Sequence, residues 1–143
     1  MVLVYALLGM LCWGLAPLFG KLGLYSVNPV TALQLRTLIA ATFVAAWIIG
    51  TQNFSGMLQV PRLFWVLIGI EAILATLLGD LAYFAALKKG NINDVTLILS
   101  SSPLVTMLLS WLFLGQTISN AQIVGSVLII AGLFLIGLDL NYQ

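Results

Sequence analysis

Histidine is absent from the 143 residues, cysteine occurs once, at Cys12, and charged side chains amount to five Lys or Arg and four Asp or Glu. Without an imidazole there is no His-based catalytic triad and no His-ligated metal. A single cysteine inside an apolar run gives no disulfide framework and no zinc cluster. No cofactor is expected. Charged residues make up 6 %, where about 25 % is usual for a soluble domain. A net charge of +1 with no basic face excludes a nucleic-acid partner. What the chain has instead is apolar bulk, 62 % of all residues. That excludes a disordered chain, and a water-soluble globule could not cover such a surface with so few polar groups. The remaining class is an all-α integral membrane protein, read as one transmembrane domain over residues 1–143 with the lipid bilayer as its first partner.

A hydrocarbon core about 30 Å thick needs roughly 20 apolar residues in a helix. Five stretches qualify, at about 2–22, 30–49, 63–87, 95–114 and 121–138. The first begins at Met1 without a basic segment and is longer than a signal-peptide core, so it reads as a retained span. Asn28 is the expected cap of the second helix, with Pro29 in its first turn. The longest loop runs from Gly50 to Pro61, with Gln52, Asn53, Ser55 and Gly56 as turn formers. Lys88, Lys89 and Gly90 close the third helix. Asn93 and Asp94 are the expected caps of the fourth, and Gly115 to Asn120 form a tight turn before the fifth. An odd number of spans puts the termini on opposite sides. The side of the N-terminus, side A, holds Arg62. Side B holds Lys21, Lys88 and Lys89, a bias toward a cytoplasmic side B that is too small to exclude insertion both ways.

Charges within a span cost about 2.5–3.5 kcal/mol on insertion scales and mark pairing or function. Arg36, Glu71 and Asp80 are such charges. At about 1.5 Å per residue, Arg36 lies roughly 9 Å and Asp80 roughly 10 Å from side B. Matching depth and opposite sign make an Arg36–Asp80 pair the cheapest way to bury both. Glu71 is nine residues before Asp80. At about 100° per residue it faces the opposite way. It has no basic partner at its depth, and it is a candidate for proton coupling beside Asp80.

Other polar or helix-distorting residues fall at the level of Arg36. Trp13, Gly14 and Pro17 are in the first helix, and Thr76 and Tyr83 flank Asp80 in the third. Ser100, Ser101, Ser102 and Pro103 are in the fourth. Freed backbone groups at membrane depth must meet protein or a wet cavity, so these residues are candidates to line a substrate cavity. Plainer readings stand beside this one: packing kinks at Pro17 and Pro103, small-residue packing at the serines, core packing at Trp13, a structural clasp for Arg36–Asp80. Trp47, Trp65, Trp111 and Tyr142 read as interfacial belt anchors. The fifth helix has no internal charge. Its Ala121, Gly125 and Gly132 form a small-residue stripe suited to close helix approach, either in a dimer interface or within the bundle.

With these residues in order, the chain resembles one EamA-type repeat of the drug/metabolite transporter superfamily, nearly end to end. The resemblance is carried by Trp13-Gly14, Pro17 and Lys21, by Asn28-Pro29, Leu35-Arg36 and Ala40-Ala41, and by Gly79 through Tyr83 with Ala85 and Ala86. Ser102-Pro103-Leu104, Leu114-Gly115, Gln122, Gly125 and Gly132 complete it. Where the family usually has Leu-Gly-Glu, this chain has Leu114-Gly115-Gln116, so a role of that carboxylate is not carried over. The resemblance implies a half-size form of proteins built from two oppositely oriented repeats. It implies pairing into an inverted five-plus-five dimer in the inner cell membrane, with itself or with an oppositely oriented homologous half. The expected function is transport, as an exporter, of small organic metabolites or drugs through a central cavity. In that reading Arg36 attracts an anionic group and Asp80 or Glu71 exchanges a proton. A non-transporting assembly subunit of a larger membrane complex is the alternative. An enzyme is not expected.

Overall fold

The computed structural model describes residues 2–52, 56 and 59–140. These form helices, with no strand among the described residues. Among the described residues, five segments are long and apolar enough to cross a membrane: Val2–Leu24, Pro29–Thr51, Arg62–Lys89, Ile92–Leu114 and Asn120–Leu138. The chain divides into two compact units, residues 1–90 and 91–143.

The first unit holds α1 (Val2–Leu24), α2 (Pro29–Thr51), α3 (Arg62–Ala72), a π-helical segment π1 (Ile73–Gly79) and α4 (Asp80–Lys89). Asn28 is extended and its side chain accepts from the Thr31 amide, with Pro29 at the first helical position. This satisfies an amide that a helix start leaves without a partner. At the other end of α2, Gln52 takes a left-handed conformation (φ 51°) and its amide bonds to the Ile49 carbonyl. Asn53 and Ser55, expected as turn formers, lie outside the described residues, as does Tyr142.

Packing in this unit is concentrated where α1, α2 and α4 meet. Leu24, Leu33, Phe84 and Leu87 are buried there. Gly20 makes the close approach of α1 and α4 possible. A Cβ at that position would lie 3.4 Å from Leu87 Cδ2 and 3.5 Å from Phe84 Cε1. Alanine just fits, whereas the γ-methyls of valine would enter space already filled by Leu87, which is 0 % exposed. Gly20→Val is expected to destabilise the unit by about 1–3 kcal/mol through overpacking. Gly20→Ala should be nearly neutral. Thermal unfolding of the detergent-solubilised protein measures both.

The third span departs from the expected continuous α-helix. Over Ile73–Gly79 the backbone opens into a π-helix, and the Asp80 amide bonds to Ala75, five residues back. Gly79 permits this, because a Cβ there would sit 2.9 Å from the Leu74 carbonyl oxygen, closer than real Cβ atoms come.

The second unit holds α5 (Ile92–Leu99), α6 (Ser102–Leu114) and α7 (Asn120–Leu140). Its first helix is capped by Asn91, whose side chain accepts from the Asn93 amide, rather than by Asn93 and Asp94. The extended backbone of Asn91 is the conformation a cap requires, while Asn93 already lies inside the helix. Gly115 ends α6 in the left-handed region (φ 65°). Ser119 and Gln122 then form a reciprocal capping box. The Ser119 amide donates to Gln122 Oε1 (2.8 Å), and the Gln122 amide donates to Ser119 Oγ (3.2 Å).

Most large apolar side chains on the spans are exposed, including Phe19, Phe43, Trp47, Leu63, Phe113 and Phe134. Only a surrounding apolar phase makes such a surface stable.

Candidate functional site

Arg36 lies two turns into α2 and Asp80 opens α4, so both are held by backbone that packs in the same cluster. Their side chains form a salt bridge between the guanidinium Nη1 and Asp80 Oδ2, with side-chain exposures of 54 % and 21 %. The Arg36 Cζ atom also stands 5.7 Å from the centre of the Phe84 ring. One guanidinium thus meets a carboxylate and an aromatic ring, as its planar delocalised charge allows. Tyr83 extends the group, its ring centre 5.4 Å from that of Phe84 at 38°. Phe84 was not among the residues the sequence singles out. Its position four residues after Asp80, one helical turn on, is the signal that marks it.

Thr76 belongs to a neighbouring feature. With Ala72, Ile73 and Leu77 it faces Leu33 and Thr37 of α2 across a cavity of about 260 Å³. On α1, Trp13 is 83 % exposed. A Cβ on Gly14 would meet nothing within 4 Å, and Pro17 sits inside an uninterrupted helical segment, half-buried. Glu71 is exposed near the end of α3. The π1 segment lies between it and Asp80, so the count that put them on opposite faces, which assumes α geometry throughout, does not hold.

In the second unit the fourth span is broken where the serines and proline stand. Ser100 and Ser101 separate α5 from α6, and Pro103 falls in the first turn of α6. The Ser100 hydroxyl donates to the Leu97 carbonyl and that of Ser101 to the Ile98 carbonyl, both at 2.6 Å. Their protons are engaged locally, which leaves oxygen lone pairs as acceptors toward any other group. A second cavity, about 510 Å³, lies between α6 and α7. Ser102, Pro103, Gln122 and Gly125 are among its lining residues, and Ser126 contacts Met107 Sδ at 3.6 Å beside it. Gly125 and Gly132 are half-buried and Ala121 is exposed.

Comparison with known proteins gives the family. The profile of the EamA-like transporter family matches residues 1–138. The chain belongs to the EamA-like transporter family. It is a multi-pass membrane protein of transporter type. An uncharacterized transporter in the cobO 3' region of Sinorhizobium sp is 29 % identical over 132 residues, covering 92 % of this chain and 93 % of that protein. An uncharacterized transporter of Archaeoglobus fulgidus is 26 % identical over 134 residues, which is 94 % of this chain but 47 % of that protein. The uncharacterized transporter YyaM of Bacillus subtilis is 25 % identical over 124 residues and is covered to 40 %. The chain therefore spans nearly the full length of one of these relatives and less than half of the other two. No solved structure matches it.

Proposed function

We propose that this chain is the half-size unit of a transporter that exports small organic molecules from the cell across the inner membrane. The observation that carries the reading is the pair of coverages: the chain matches one relative along 93 % of its length and another along 47 %. A unit that stands alone in one relative and fills half of another is a unit built to be paired. Alternating access in folds of this kind comes from two inverted repeats around a site near the midplane. The second repeat is supplied by another copy of this chain or by an oppositely oriented homologous half, with Ala121, Gly125 and Gly132 on the pairing helix.

In this reading Arg36 receives an anionic group of the substrate, giving up part of its bond to Asp80. Thr76 and Tyr83 contribute polar contacts within the first unit, and the second unit separately offers the acceptor oxygens of Ser100, Ser101 and Ser102. Trp13, Gly14 and Pro17 shape the wall in the first unit, and Pro103 does so in the second. Asp80 and Glu71 are the groups that exchange a proton with the gradient, and no enzyme chemistry is involved. Purified protein in liposomes tests this against a panel of small organic acids, amines and neutral metabolites. Saturable flux of at least one organic acid, lost in Arg36→Gln, is the expected result. Folded, paired protein without flux across the panel would reject transport in favour of a non-transporting assembly subunit.

A further inference from the structure

The two halves of the third span are fastened very differently. The α4 half is held by the Arg36–Asp80 bridge, by burial of Phe84 and Leu87, and by Lys88 Nζ, which donates to the Leu24 carbonyl at 2.5 Å. The α3 half has no buried residue. Among the described residues, no salt bridge or side-chain hydrogen bond ties it to α1 or α2. Between the two halves stands π1, a seven-residue π-helix, a distortion often found at functional sites. Its flank faces the cavity of about 260 Å³ bounded by Leu33 and Thr37, so side chains of the segment have room to move.

A π turn closes through a five-residue step where an α turn closes through four. It takes up about one residue more. Converting π1 to α-helix would therefore turn α3 relative to α4 by roughly one residue, about 100°. In continuous α-helix Glu71 and Asp80 would stand about 180° apart; with one residue absorbed they stand about 80° apart. We infer that π1 is a rotation joint: exchange between π and α backbone over Ile73–Gly79 swings the half-span carrying Glu71 about its axis, while the half carrying Asp80 stays fixed. Gly79 keeps the π form accessible, because any Cβ there meets the Leu74 carbonyl oxygen at 2.9 Å.

The test is a cysteine scan of Phe64 to Ile70 in a Cys12→Ser background, in the full chain reconstituted in bilayers. Spin labels report the lipid-facing and bundle-facing phase at each position. In Gly79→Ala, the periodic pattern is expected to be displaced by one residue relative to the parent. Deleting Ala75 from Gly79→Ala removes the released residue and should return the pattern to the parent phase. The deletion arm also reads the joint if Gly79→Ala alone does not fold. An unchanged phase in folded Gly79→Ala would overturn the joint. So would a double variant that fails to fold or fails to regain the parent phase.

Discussion

Replacing either Arg36 or Asp80 by alanine is expected to cost about 2–3 kcal/mol of stability, because each change strands the other charge within the membrane. The double replacement should cost clearly less than the two single costs added together. On a water-exposed surface the same pair would be worth only about 0.2–1 kcal/mol, so the environment decides the size of the effect. The side-chain exposure of Arg36, 54 %, is exposure in the isolated chain. At roughly 9 Å inside the second span, a lost carboxylate is not replaced by bulk water. The Phe84 ring retains part of the guanidinium's stabilisation when Asp80 is removed. Asp80→Ala should therefore be milder than it would be if the stranded cation had no second contact. Unfolding of the four proteins in bilayer-mimetic micelles gives the coupling energy. Strict additivity would mean that the two charges do not depend on each other. The charge swap Arg36→Asp with Asp80→Arg should restore part of the stability, whereas transport of an anionic substrate should stay lost.

That pair was legible in the sequence because depth and sign are both readable from position along a span. The Asn28 cap and the break at Ser100–Ser101 were legible for a similar reason, since Asn-Pro and Ser-Ser-Ser-Pro are local signals. The π-helix was not. Ile73 to Gly79 contain no proline and no charge, and their composition suits an α-helix as well. What favours the wider turn is the missing Cβ of Gly79 beside the Leu74 carbonyl, a contact five residues away that α-helical counting does not inspect. The angular placement of Glu71 relative to Asp80 differs from the α-helical expectation for the same reason, because π1 lies between them. In the sequence Phe84 is one apolar residue among many. It becomes part of the site only once Arg36 is seen to stand over its ring. Caps showed the opposite difficulty. Asn91 and Asn93 are the same residue type two positions apart, and only the backbone conformation selects the first.

Lys21→Met and Lys88→Met should each loosen the side-B end of the first unit, and together they should cost about 3–5 kcal/mol. From the sequence these lysines are topology signals and favourable charges at helix C-termini. The structure adds that they are exchanged between helices. Lys21, in the last turn of α1, donates to the Leu87 carbonyl at 2.5 Å and the Gly90 carbonyl at 2.7 Å. Lys88, at the end of α4, donates to the carbonyls of Leu24 at 2.5 Å and Val27 at 3.0 Å. Each cation therefore caps the helix end that the other lysine leaves. A helix terminus presents carbonyls without intrahelical partners, and water reaches them poorly beside Leu24 and Leu87, which are buried at the same place. Charge-assisted hydrogen bonds contribute about 1.5–3 kcal/mol each when well placed. Partial exposure of the lysines puts the expected total well below the sum of four such bonds. Methionine keeps the length and apolar stem of lysine, so lost packing does not explain the effect. Arginine at position 88 should rescue in part, since it retains the charge with a different donor geometry. Amide hydrogen exchange locates the consequence. Protection should fall over Leu22–Tyr25 and Ala86–Gly90 in either single variant, because each lysine joins both ends. Loss confined to the helix carrying the mutated lysine would show that the two helix ends are stabilised independently.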